Sequence, residues 1–235
     1  MDAIKKQARV AGLLYLLTCL PAPFGLIYVP GALIVPGDAT ATANHVRASE
    51  TLLRLGIASE LISAAGFIFV VFALYRLFKD VDKQLALLMV TLFVVSVPIS
   101  FLNVLNDIAA LILAGGADFL SAFGKGQLDA LVLLFLRLHN QGLIVAQIFW
   151  GLWLFPFGIL VMRSGFIPRL LGVLVMIAGC AYPLSSFTSI LLPQYAHLVS
   201  QYSTILEFGE LPIILWLLIW GAKTQPVDIH RGERT

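Results

Sequence analysis

The sequence predicts an all-α fold, a polytopic integral membrane helix bundle of six transmembrane helices. Three observations predict it. Apolar residues make up 60% of the 235 residues and charged residues only 12%, against roughly 45–50% and 25% in soluble domains. The apolar residues gather into runs of membrane length, since roughly 20 are needed to cross ~30 Å of hydrocarbon. Nothing inside the runs reads as a domain linker, so residues 1–223 are expected to form one transmembrane domain, followed by a flexible cytoplasmic tail over 224–235. In lipid the backbone must satisfy its own hydrogen bonds, which makes each run a helix.

The first run, Val10–Val29, follows Lys5, Lys6 and Arg9, and its leading apolar stretch is followed by Pro21-Ala22-Pro23. A basic start and a short apolar stretch resemble a signal peptide, but no small-x-small cleavage site is clear, and an uncleaved helix is expected. After it, Pro30-Gly31 and Pro36-Gly37 signal turns. Asp38 or Thr40 is placed to cap a short surface helix through Ala41–Thr51. The second run is Leu52–Phe78 and the third Leu85–Ala114, the latter long enough to tilt or project. Gly115-Gly116, Gly124 and Gly126 mark the next loop. The apolar segment 128–138 either extends the fourth run, Gly142–Met162, or lies at the surface as its own helix. Leu170–Leu192 and Phe208–Ala222 complete the six. Pro98, Pro156 and Pro212 are expected to kink their helices.

Orientation follows from the basic residues. Eleven fall on one side: Lys5, Lys6, Arg9, Arg76, Lys79, Lys83, Arg163, Arg169, Lys223, Arg231 and Arg234. Four fall on the other: Arg47, Arg54, Lys125 and Arg137. Both termini are therefore expected in the cytoplasm. Trp150, Trp153, Trp216 and Trp220 partly suggest an interfacial belt on that side. Cys19 and Cys180 fall near the middle of their runs and read as small buried apolar residues, not as a disulfide. A net charge of +2 without a basic stripe argues against nucleic acid as a partner. The lipid bilayer is the one partner the composition specifies.

The chemistry lies in the polar residues inside the apolar runs. Glu60, Asn103, Asp107, His139, Gln147, Glu207 and Glu210 form the candidate ligand-binding set. An ionisable group in hydrocarbon is costly and is expected to face the bundle interior. At ~1.5 Å per residue, Glu60 and Glu210 lie ~7 Å outward of their run centres and Asp107 ~12 Å. That common depth points to one outward-opening pocket. Asn103, Asn106 and Asp107 share a helix face, as do Glu207 and Glu210, and Glu60 and Ser63. His139 and Gln147, eight apart, fall roughly in line on a continuous helix. Arg54 and Arg137 stand near the outer ends as charge partners for the acids. Each residue also has a purely structural use: the asparagines as interhelical hydrogen bonders, Glu60 and Glu210 in pairs with Arg54, Arg137 or tyrosine hydroxyls, the histidine at an interface.

Three classes of function follow. The first is binding or transport of a small molecule or cation through the acidic pocket, because carboxylates in a low dielectric take up protons or cations. The second is a structural or regulatory membrane partner. The third is an intramembrane metal-dependent or acid–base enzyme, for which histidine and carboxylates are suitable groups. The lack of HExxH, GxSxG or a histidine cluster argues against an enzyme. The sequence identifies no catalytic residue, metal or cofactor.

Arg9-Val-Ala-Gly12 with Cys19 and Pro21 matches Arg169-Leu-Leu-Gly172 with Cys180 and Pro183. This is either a weak parallel repeat or chance similarity among apolar residues. Six ordered phrases, from Arg9–Tyr15, Leu33–Asp38, Ala48–Gly56, Leu138–Gly142, Arg163–Gly172 and Gly209–Trp216, resemble the bacterial membrane family called domain of unknown function 4386. The resemblance implies a multi-pass protein of the bacterial inner (plasma) membrane. It implies no activity and transfers no catalytic residue.

Overall fold

Six long apolar helical passes run antiparallel to one another in the computed structural model, which describes residues 2–222. The expected tail over 224–235 lies outside the described residues. The first pass, Ala3–Leu33, is broken: α1 (Asp2–Cys19) is followed by a turn, a π-helical segment at Phe24–Tyr28, and α2 (Val29–Leu33). Pro21 and Pro23 cause the break, since two backbone N–H groups are missing within three residues. Asp38 caps the surface helix α3 (Ala39–Ala48) by accepting from Ala41 N at 2.8 Å. The second pass is α4 (Glu50–Phe78) and the third α5 (Lys83–Gly115), which stays continuous through Pro98 and ends on Gly116 at φ 64°.

The fourth pass joins α6 (Lys125–Leu152) to α7 (Leu154–Ser164), so 128–138 extends the span rather than lying apart. α8 (Arg169–Leu191) is the fifth pass and runs unbroken over Pro183. The sixth, Pro193–Ile219, is broken like the first: α9 (Ala196–Glu207), a tight turn at Phe208–Glu210, then α10 (Leu211–Ile219) with Pro212 in its first turn. With an even number of passes, both ends of the described chain lie at one end of the bundle. That end is the terminal end of the bundle, and the end carrying α3 is the far end.

Glycine sets the closest helix contacts. Gly158 faces Gly172 and Gly151 faces Gly179 across the antiparallel seam of α6–α7 with α8. A Cβ on Gly158 would lie 2.7 Å from the Gly172 carbonyl oxygen, and one on Gly172 2.6 Å from that of Gly158. In lipid, where tails are as apolar as leucine, such close backbone approach is a main source of association.

The buried apolar residues divide into two cores. One, toward the terminal end, includes Tyr15, Leu74, Phe78, Met89, Trp153, Phe157, Leu160, Ile213 and Leu217. Trp153 is 2% exposed and stacks on Phe157 at 5.4 Å, so it belongs to this core and not to an interfacial belt. Trp216 and Trp220 stack at 5.0 Å. Cys180 is exposed on the bundle surface, contrary to the expectation of burial. The other core, at the far end, packs Val29, Leu33, Val46, Leu53, Leu111 and Leu136 beneath α3. Between these two cores each of α4, α5 and α6 carries its polar residues: Ser59, Glu60 and Ser63, then Asn103 and Asp107, then His139.

Candidate functional site

The polar layer is held by close backbone packing. Gly25, in the π-helical segment, lies against α4, where a Cβ would come 2.8 Å from both Glu60 Cγ and the Gly56 carbonyl oxygen. The break in the first pass thus brings bare backbone onto the helix that carries Glu60. Gly142 plays the same part between α5 and α6, because the Asn103 amide occupies the space a Cβ would need. Asn103 donates from Nδ2 to the carbonyl oxygen of His139 at 2.9 Å, and Asn106 donates back to the Asn103 carbonyl at 3.0 Å. The asparagines therefore fix the backbone that carries the histidine.

His139, 5% exposed, stands between two acids. Its Nδ1 lies 2.8 Å from Asp107 Oδ2, and its Nε2 lies 3.2 Å from Glu60 Oε2. The Nδ1–Asp107 approach is short but lacks the alignment of a hydrogen bond. A cavity of about 90 Å³ adjoins this cluster, lined among others by Gly25, Val29, Glu60, Asp107, His139 and Asn140.

A second cavity, of about 390 Å³, lies between the two broken passes. Cys19, Ala22, Pro23 and Leu26 line it from the first pass, and Thr204, Glu207, Phe208 and Glu210 from the sixth. Phe67, Phe93, Trp150, Trp153 and Tyr182 supply aromatic walls. The exposed side chains of Ile27 and Phe208 also line it, so the cavity reaches the bundle surface there. Toward the terminal end it is closed by ring contacts, Tyr15–Phe67 at 5.3 Å, Phe67–Phe93 at 5.1 Å and Phe93–Trp153 at 5.4 Å. Tyr15 donates its hydroxyl to Glu210 Oε2 at 2.5 Å. Ser63, 7% exposed, has a buried hydroxyl oxygen with no hydrogen-bond partner in this wall. Glu60 lines both cavities and is their link.

The structure therefore brings Glu60, Asp107 and His139 together, with Asn103 behind them, and groups Glu207 with Glu210 across the larger cavity. Gln147 is half-buried and lines neither cavity. Eight residues at 100° each leave it ~80° around the helix from His139. Leu143 and Trp150 occupy the cavity face of α6 instead. Arg54 does not pair with Glu60. Its guanidinium is held at 2.6 Å by Glu50, one turn earlier on the same exposed face. Arg137 is exposed and makes no ion pair among the described residues.

Sequence reasoning allowed a tyrosine hydroxyl as partner of Glu210 without naming which, and did not name Asp129. Tyr15 and Tyr182 carry no local signal, since their acid neighbour lies on the sixth pass. Ser63 shares a helix face with Glu60 and was legible only as that. Asp129, 1% exposed, is gripped by Arg47 at 2.8 Å and Lys125 at 3.3 Å, which ties α3 to α6. The Lys125–Asp129 spacing was the available signal for it.

A family model described as "Domain of unknown function (DUF4386)" matches residues 10–221. The chain is also similar to an "Uncharacterized protein" of Archaeoglobus fulgidus, 37% identical over 86 residues, which cover 35% of this chain and 48% of that one. The chain thus matches about half the length of this curated relative. No solved structure matches.

Proposed function

The chain belongs to the DUF4386 family and is a multi-pass helical membrane protein, and we propose that it binds, and moves by way of its two broken helices, a small organic cation. The observation that carries the reading is the cavity between those helices. Its volume of about 390 Å³ falls within the ~300–1,000 Å³ range of small-ligand sites. Its walls combine aromatic faces with Glu60, Glu207 and Glu210. Aromatic rings attract a desolvated cation through their quadrupole, and more strongly for ammonium groups that cannot be fully hydrated. The carboxylates supply the opposite charge, and the unpartnered Ser63 hydroxyl supplies a polar contact.

Broken membrane helices at a central cavity are how many transporters expose backbone to a substrate without facing it to lipid. The π-helical segment beside the cavity fits this use, since such bulges recur at functional sites. A structural partner without ligand would fill this space with side chains, because an unfilled void forfeits packing. In the orientation favoured by the basic residues, both termini are cytoplasmic, and the cavity opens in the outer half of a plasma membrane.

Equilibrium dialysis of the purified protein in detergent with radiolabelled benzyltrimethylammonium tests the reading. One saturable site per chain is expected, with at least ~10-fold weaker binding in Glu60→Gln and Glu210→Gln. Absence of saturable binding, or equal binding in both variants, overturns it.

A further inference from the structure

We propose that Glu60, Asp107 and His139 form a binding site for one divalent transition-metal ion, which adjoins the organic-cation cavity through Glu60 and does not depend on it. The three residues present one imidazole nitrogen and two carboxylate oxygens, all within 4.8 Å of one another. That donor set suits Zn²⁺ or Mn²⁺ and leaves further coordination positions open.

Four observations point to an ion rather than to simple side-chain pairing. First, the approach of Nδ1 to Asp107 Oδ2 at 2.8 Å is not aligned as a hydrogen bond. Two donors that share a metal at ~2.0–2.2 Å lie about 3 Å apart, with lone pairs converging on the ion rather than on each other. Second, among the described residues no lysine or arginine reaches either acid: Arg54 is taken by Glu50, and Arg47 and Lys125 by Asp129. Only His139 faces the two acids, and one imidazolium carries a single positive charge against two carboxylates, whereas a divalent ion balances both. Third, the residues are held in place before any ion arrives. Asn103 fixes the His139 carbonyl, Gly142 admits Asn103, and Gly25 backs Glu60. Ligand orientation by such supporting contacts is typical of metal sites. Fourth, a cavity of about 90 Å³ adjoins the three donors and has room for water to complete the coordination.

Glu60 also lines the larger cavity, so an ion held here reduces the negative charge that an organic cation meets there. The two ligands are then expected to weaken each other's binding, by the same factor in both directions.

The test is metal retention by the full chain in detergent. The protein is stripped with a chelator, loaded with Co²⁺ or Zn²⁺, and passed over a desalting column. One metal per chain is expected, and Co²⁺ is expected to give visible d–d bands that mark nitrogen and oxygen coordination. Asp107→Asn and His139→Gln, both close in shape, are expected to weaken retention by more than ~100-fold, beyond what loss of a supporting contact costs. Glu210→Gln, and His197→Gln at an exposed position of α9, are expected to retain the metal. Far-ultraviolet circular dichroism confirms that each variant is folded. A wild type that retains no metal, or retention equal in Asp107→Asn and His139→Gln, overturns the site. Loss in Glu210→Gln as well overturns its separation from the larger cavity.

Discussion

Replacing Gly25 by alanine tests how the broken first pass supports Glu60. The new Cβ would lie 2.5 Å from Ser59 Oγ, and 2.8 Å from both Glu60 Cγ and the Gly56 carbonyl oxygen. The serine hydroxyl can rotate, although it would give up its 2.7 Å hydrogen bond to Gly56. The carbonyl belongs to a helix backbone and cannot. Ordinary contact needs about 3.5 Å, so the π-helical segment must lift from α4 by about 0.7 Å. A gap of that size forfeits a quarter to a half of each contact it opens, and Val29 leans on Gly56 one turn farther along. Overpacking of this kind costs about 1–3 kcal/mol.

Thermal unfolding in detergent, followed by circular dichroism, is expected to show a lower midpoint for Gly25→Ala. Benzyltrimethylammonium binding is expected to weaken by about 10-fold, since a loss of ~1.4 kcal/mol suffices. Adding Ser59→Ala should recover only part of the stability, because the Gly56 carbonyl remains. A Gly25→Ala protein as stable and as tight-binding as wild type would refute the reasoning.

Two further outcomes follow from the packing. Gly142→Ala must displace the Asn103 amide from its hydrogen bond to His139, so it is expected to cost about 1–3 kcal/mol in thermal stability. Asn103→Ala in the same chain should relieve much of that loss. Arg47→Met leaves the 1%-exposed Asp129 with only Lys125, whose side chain is 70% exposed, so it is expected to destabilise more than Lys125→Met. Proteolysis of the loop holding α3 reports the difference, and equal sensitivity of the two variants would contradict the clamp.

Much of the fold was legible because lipid imposes a simple rule. A membrane helix must be apolar and about 20 residues long, and six such runs stand out. The face shared by Asn103 and Asp107 was legible because helical spacing alone sets it. What crosses between helices was not legible. His139 meets Glu60 and Asp107 only because α6 packs on α5 and α5 on α4, and spacing says nothing of neighbour order. Gln147 was misplaced because eight residues do not close two helical turns. Arg54 was read with Arg137 as a charge partner for the acids from its place near the outer helix end, but Glu50 is nearer and needs no folding to reach it. Pro21-Ala22-Pro23 was read only as the end of a signal-like apolar run, and the structure shows that it breaks the first pass and opens a wall of the larger cavity.

The claim that this cavity selects for positive charge is tested most directly by two ligands of one shape. Benzyltrimethylammonium and neopentylbenzene differ in essentially one respect, a quaternary nitrogen in place of a quaternary carbon. Ligand-induced thermal stabilisation of the purified protein, measured for both, separates charge from fit. The account predicts that the cation stabilises the wild type and the hydrocarbon does so far less, and that Glu210→Gln erases the preference. Equal stabilisation by the two compounds, or a preference that survives in Glu60→Gln and Glu210→Gln alike, would contradict it.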